Sequence, residues 1–153
     1  EGSQIFFNNK VKLSSSFGYL QTWTDRYEFY IDATNVENRG DREQSNAPKY
    51  TYSATVDVMP TDNLVITADY SFRDRFYFSD SHDLQSDAYH ILNLSASYQR
   101  NSAFISIWAK NIIDVRYAVR GFYFGLEPND FEDKLYLQWG DPFHLGVTLR
   151  YDI

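Results

Sequence analysis

The residue types that do chemistry most often are sparse in this sequence and poorly placed for it. Its imidazoles, His82, His90 and His144, fall in three separate segments, and no cysteine is present to complete a ligand set or act as nucleophile. Histidines so isolated read as solvated or locally hydrogen-bonded side chains. No catalytic constellation emerges, so neither an enzymatic activity nor a cofactor is expected. Glu127, Asn129, Asp130, Glu132 and Asp133 offer oxygens to a hard cation, but their spacing departs from that of a calcium loop, and no metal site is expected. The remaining candidates are guanidinium and aromatic groups interleaved in polar segments: Arg75 with Phe76 and Tyr77, then Arg116, Arg120, Phe122, Tyr123 and Trp139. Cationic forks beside aromatic faces suit a flat, anionic ligand, and they equally suit loop packing and contact with lipid headgroups.

The elements that must position these groups are strands, because the hydropathy period is two along most of the chain. Tyr50, Tyr52, Ala54, Val56 and Val58 alternate with Thr51, Ser53, Thr55 and Asp57. Past the turn at 60–63, Leu64, Ile66, Ala68, Tyr70 and Phe72 alternate with mostly polar partners. Leu92, Leu94, Ala96 and Tyr98 follow, then Ile105, Ile107 and Ala109, with Phe104 and Trp108 on the opposite phase of that last run. Phe143, Leu145, Val147, Leu149, Tyr151 and Ile153 close the chain, and Val11, Leu13, Phe17 and Tyr19 show the same pattern near its start. Six full strands of ten to fifteen residues and the end of a seventh at 4–7 are expected, with no helix. Short connections at 8–9, 60–63 and 100–102 alternate with long ones at 24–46, 74–87 and 117–141, and loops of that length are retained where they carry function.

Composition narrows the class. With 12 Phe, 13 Tyr and 3 Trp, aromatics make up 18% of the chain, while 4 Pro, 7 Gly and no Cys exclude a collagen or a disulfide scaffold. No apolar run is long enough for a membrane helix. The formal charge is −7. Segments 25–46, 74–87 and 114–141 concentrate 16 of the 21 acids against 7 of the 14 bases, so the long loops are acidic and a nucleic-acid partner is not expected.

Alternation alone is shared by membrane barrels and soluble β-sandwiches. Strand length and aromatic levels separate them. On the apolar phase Phe17, Tyr19, Tyr50, Tyr52, Tyr70, Phe72 and Phe143 lie towards the long loops, Tyr98 and Tyr151 lie at the other end, and aliphatic residues fill the space between. That is the layout of two interfacial girdles around a hydrocarbon band. The other phase, with Lys49, Asp57, Asp69, Arg73, Arg150 and Asp152, then lines a wet lumen. A membrane barrel of six or seven strands cannot close, since barrels begin at about eight. The chain is therefore expected to be part of a larger transmembrane antiparallel up-and-down β-barrel.

At 108–122 the sequence Trp-Ala-Lys-Asn-Ile-Ile-Asp-Val-Arg-Tyr-Ala-Val-Arg-Gly-Phe resembles a motif near the end of TonB-dependent outer-membrane receptors, with Asn111, Ile112, Ile113, Asp114 and Tyr117 at its positions. Asn46-Ala47-Pro48-Lys49-Tyr50 resembles a strand start common in that family, and residues 140–153 resemble its closing strand. Phe143 stands where the family commonly has Arg, and Ile153 where it usually has Phe. Val147, Leu149 and Tyr151 keep the alternating signal that, with Ile153, the barrel-assembly machinery would read. The resemblance implies that residues 1–153 are the C-terminal part of a siderophore-receptor-type barrel, six to seven strands out of about 22, whose plug domain and TonB-contacting segment lie outside this sequence. It further implies a bacterial outer-membrane location and active import of a ferric siderophore or similar scarce ligand, energised through TonB. The partners implied are outer-membrane lipid, the remaining barrel strands and the plug. A passive porin or adhesin barrel and a soluble β-sandwich binding module are the alternatives.

Overall fold

The computed structural model describes residues 1–128 and 131–152, and within them the fold is all-β, with antiparallel strands and no helix. Seven strands build one sheet: β1 (Gly2–Phe6), β2 (Val11–Tyr19), β5 (Tyr50–Thr61), β6 (Leu64–Arg73), β7 (Tyr89–Arg100), β8 (Ala103–Lys110) and β11 (His144–Tyr151), each hydrogen-bonded to the next. Two hairpins, β3 (Tyr27–Tyr30) with β4 (Val36–Arg39) and β9 (Ala118–Phe124) with β10 (Lys134–Trp139), arise inside connections that read as plain loops in the sequence. Their strands of 4 to 7 residues are too short for alternation to stand out. Of the other strands of the sheet, β5, β6 and β7 span 10 to 12 residues, within the expected range, and β2, β8 and β11 span 8 or 9; alternation also runs past the ladder before β5 and after β11. Lys49 and Asp152 consequently flank strands and do not lie within them.

Local chemistry fixes the turns. Phe7, Asn8 and Asn9 all take left-handed backbone, with φ of 52°, 55° and 68°, and the two asparagines tolerate it well. Asn101, at φ 52°, turns β7 into β8. Between β5 and β6 the register slips from Val58 to Thr61, where Pro60 has no N–H to give to a ladder. In the β3–β4 turn the Asp32 carboxylate accepts the backbone N–H groups of Thr34 and Asn35 at 2.8 and 2.9 Å. The Thr34 N–H first, then the Asn35 amide and Thr34 hydroxyl side chains and the Asn35 N–H, hold the carboxyl pKa at about 2. Gly40, at φ 88°, closes that segment where a Cβ would collide with the Asp25 carbonyl.

Register makes the two sheet faces chemically distinct. On one, Phe17, Tyr52, Phe72 and His90 stand in a single cross-strand row, next to Tyr19 opposite Tyr50. Tyr52 lies 5.3 Å from Phe72 and 5.5 Å from Tyr70, forming a continuous aromatic band at the long-loop end. Below it run Val56, Ala68, Leu94 and Ala109, then Val58, Ile66, Ala96, Ile107 and Val147, then Tyr98, Ile105 and Leu149. Ile66, Leu94 and Val147 are 41, 40 and 58% exposed, so no layer of the described chain covers this face. The opposite face is a hydrogen-bonded polar lattice. Ser16 meets Ser53 at 2.8 Å, Thr55 donates to Asp69 at 2.9 Å, Thr67 to Asp57 at 2.7 Å, and Ser97 to Ser106 at 2.8 Å. Phe104 and Trp108 share this polar face, as their phase requires, and the Trp108 indole donates to Thr148 at 3.2 Å.

The buried apolar side chains of the described residues, Phe76, Phe78 and Ala118, are not in the sheet at all. They lie in the long connections.

Candidate functional site

The long connections fold onto one another at one end of the sheet. Residues 74–88 double back through paired hydrogen bonds, Ser86 N–H to the Phe76 carbonyl at 2.8 Å and Phe78 N–H to the Leu84 carbonyl at 3.2 Å. This puts Phe76 and Phe78 edge to face at 5.7 Å, with Tyr89, Leu135 and Leu137 packed around them. Gly121 lies beneath Phe78, where any Cβ would strike the ring. The cluster thereby joins segment 74–88 to the β9–β10 hairpin, with Tyr89 as its footing on the sheet.

Polar staples extend the assembly. Arg42 reaches from the first long connection to Asp83 and to the Ser79 carbonyl at 3.1 Å, with its guanidinium over the Tyr77 ring at 4.6 Å. His82 stacks on Tyr123 at 3.5 Å and 7° and lies 3.3 Å from the Asp133 carboxylate. Burial, then the Asp83 charge, pushes the Tyr123 phenol up. Arg116 covers Trp139 at 4.0 Å.

The Asn-x-x-Asp positions form the corner that carries the chain from β8 into the hairpin. Asn111 is 2% exposed, with left-handed backbone at φ 48°. Its side-chain amide donates to the carbonyls of Val115 at 2.9 Å and Asp141 at 3.0 Å and accepts the Val115 N–H at 3.1 Å, while its own N–H goes to Asn93 at 3.0 Å. The Asp114 carboxylate accepts the Phe143 N–H at 2.9 Å, just ahead of β11. Ile112 donates its N–H to the Leu92 carbonyl at 2.9 Å, Ile113 is exposed, and Tyr117 packs on Tyr89 at 4.5 Å. Burial, then Tyr89 and Asp141, raises the Tyr117 phenol. Gly140 is required beside it, since a side chain there would overlap the Tyr117 ring.

The arginine and aromatic residues singled out by sequence are therefore not gathered around one cavity. Tyr77, Tyr123, Arg116 and Trp139 are engaged in loop packing, and Arg75 is exposed. Arg120 and Phe122 are on the other face of the hairpin from Tyr123, Phe122 stacking on Tyr136 at 5.5 Å. Glu127 pairs with Lys134 at 3.6 Å and with the Tyr136 hydroxyl, and Asp133 with His82. Asn129 and Asp130 of the acidic set, and Ile153 of the closing signal, lie outside the described residues. Among those described, no three candidate metal ligands converge. Val147, Leu149 and Tyr151 share the apolar face of β11 at 58, 74 and 72% exposure.

A recess that sequence reasoning missed lies just below the loop cluster on the polar face. It measures about 460 Å³, is floored by Ser16, Thr51, Ser53 and Ser71, and is walled by Arg73, Tyr89 and Ile91. Alternation places Arg73 on this face, but only the folded chain shows that its Nε is buried with no acceptor among the described residues. Such a group is costly enough to call for an explanation.

The class of structure is thus a single-layer antiparallel meander with one apolar and one polar face, capped at one end by packed loops. No family model matches the sequence. A solved structure of similar fold is the ferric yersiniabactin uptake receptor FyuA from Yersinia pestis, at TM-score 0.60 and 17% identity over 95% of this chain. The chain spans about a quarter of that receptor, 24% of its length.

Proposed function

We propose that this chain is the C-terminal part of a bacterial outer-membrane β-barrel receptor that imports a ferric siderophore or a similar scarce ligand, energised through TonB. Its apolar face meets lipid, and its polar face lines a lumen completed by further strands and filled by a plug. The observation that carries this reading is the pair of faces. An uncovered aliphatic band beneath an aromatic row, backed by a hydrogen-bonded polar lattice, calls for two different solvents on the two sides of one sheet. The fold similarity to an uptake receptor supports it. The packed loops at one end form the mouth through which the ligand enters.

The test is iron uptake by cells carrying or lacking the full-length gene, with and without TonB. Uptake of a ferric chelate under iron limitation should need both. Uptake that persists without TonB would identify a passive pore and sink the energised reading. In parallel, single cysteines at Val147 and Ser95 of the full-length protein should react oppositely, the first shielded by bilayer and the second reached by a water-soluble thiol reagent.

A further inference from the structure

The two arginines of the described residues with a buried, unpartnered Nε each lie 4.6 Å over an aromatic ring and differ in their ion pairs. Arg42 spends its remaining donors on Asp83 and the Ser79 carbonyl. Arg73 has no carboxylate of the described residues within ion-pair reach. Its guanidinium rests 4.6 Å from the Phe76 centroid, and Phe76 is itself 1% exposed, so the cation is backed by a dry aromatic surface instead of water. Asp69, two rungs down the same strand and face, makes no ion pair with it and turns to other partners. Its oxygens already accept from Thr55 at 2.9 Å and Asn93 at 3.2 Å.

The space in front of Arg73 is shaped by its neighbours. Across the sheet its row reads Gly18, Thr51, Arg73, Tyr89, and the row below reads Ser16, Ser53, Ser71, Ile91. On β2 and β5 no side chain of these rows is larger than Thr, which leaves the recess of about 460 Å³. Its lining combines small hydroxyls with Pro48, Tyr52, Phe72, Ile91 and the Tyr89 ring, and carries one guanidinium with no ion pair among the described residues.

We propose that this recess takes the carboxylate-bearing face of the transported ligand. Arg73 donates its terminal Nη groups to the carboxylate, the serine and threonine hydroxyls bond adjoining oxygens, and Tyr89 supplies a flat apolar contact. The proposal rests on the receptor reading and narrows its ligand class to anionic, carboxylate-bearing chelates.

Full-length protein in detergent is titrated with iron(III) citrate as the carboxylate probe and with a neutral ferric trihydroxamate as the uncharged control, followed by tryptophan fluorescence. Wild type should bind iron(III) citrate. Arg73→Gln should weaken that binding at least about tenfold. Arg73→Lys should recover part of the loss, and Arg100→Gln, at the short-turn end, should change nothing. Unchanged citrate binding in Arg73→Gln, or binding of the trihydroxamate alone by wild type, overturns the carboxylate site and leaves the receptor reading standing. Equal loss of both chelates in a still-folded Arg73→Gln variant marks Arg73 as a packing contact and also overturns it. Binding of neither chelate by wild type, with no iron uptake in cells, brings down both readings.

Discussion

The sheet and the loops of this molecule have exchanged the roles they play in soluble proteins. In the sheet, leucines, isoleucines and valines are regularly spaced and uncovered, with Leu149 at 74% and Leu145 at 65% exposure. In the connections, Phe76 and Phe78 are 1 and 6% exposed, ringed by apolar neighbours and stapled by Arg42 and His82. A soluble domain buries its sheet and lets its loops solvate. Here the loops carry a small core of their own, and no described residue covers the apolar face of the sheet. The loop cap has a buried core of its own, joined to the wall beneath it through Tyr89, and its stability is expected to be separable from that of the wall.

Four changes would break or sharpen that contrast. The largest effect is expected for Phe76→Ala, which empties the centre of the loop core. The local opening free energy of 74–88 should fall by about 3–5 kcal/mol, read as lost hydrogen-exchange protection there while protection of β7 and β8 is kept. Equal loss in the sheet would show that cap and wall are one unit. Next, Leu94→Arg places a charge at the middle of β7 on the apolar face. It should cost about 2–4 kcal/mol in urea titrations from lipid vesicles, against little for Ser95→Arg on the polar face. Similar costs for the two would remove the distinction between the faces.

Asn111→Ala deletes an amide that satisfies three backbone groups at the corner between wall and cap, at a left-handed φ of 48° that suits asparagine better than alanine. A loss of about 1–3 kcal/mol is expected, with faster exchange of the Val115 and Phe143 amides. Asn111→Asp should recover only the bond from Val115 N–H. The smallest effect concerns Asp32, outside both regions. Its folded-state carboxyl, at about 2, is below its ordinary 3.8, so its contribution is fully present above 3.8 and is lost as pH falls through about 2. Exchange of the Thr34 and Asn35 amides, taken relative to the intrinsic rate at each pH, should quicken across that window and nowhere above it. The same quickening at neutral pH in Asp32→Asn would tie it to the carboxylate charge.

What could be read from the residues alone follows from the two-residue repeat of an extended chain. Once Val56, Ala68 and Leu94 are seen to alternate with Thr55, Asp69 and Asn93, side-chain geometry puts each set on its own face, and tertiary structure can only agree or break the strand. The turns were legible for a similar reason, since Asn8, Asn9 and Asn101 tolerate backbone that most residues avoid. The β3–β4 and β9–β10 hairpins were not legible, being too short for a period to emerge. Nor was the fate of the loop arginines and aromatics. Whether Arg42 finds Asp83, His82 finds Asp133, or Arg73 finds no acid among the described residues is a matter of distant segments, 41 and 51 residues apart in the two pairs, meeting in space. Local periodicity says nothing about such meetings. The sequence determined the two faces, because facing is a property of each strand by itself; the folded chain decided which charges are neutralised, because pairing is a property of where distant segments arrive.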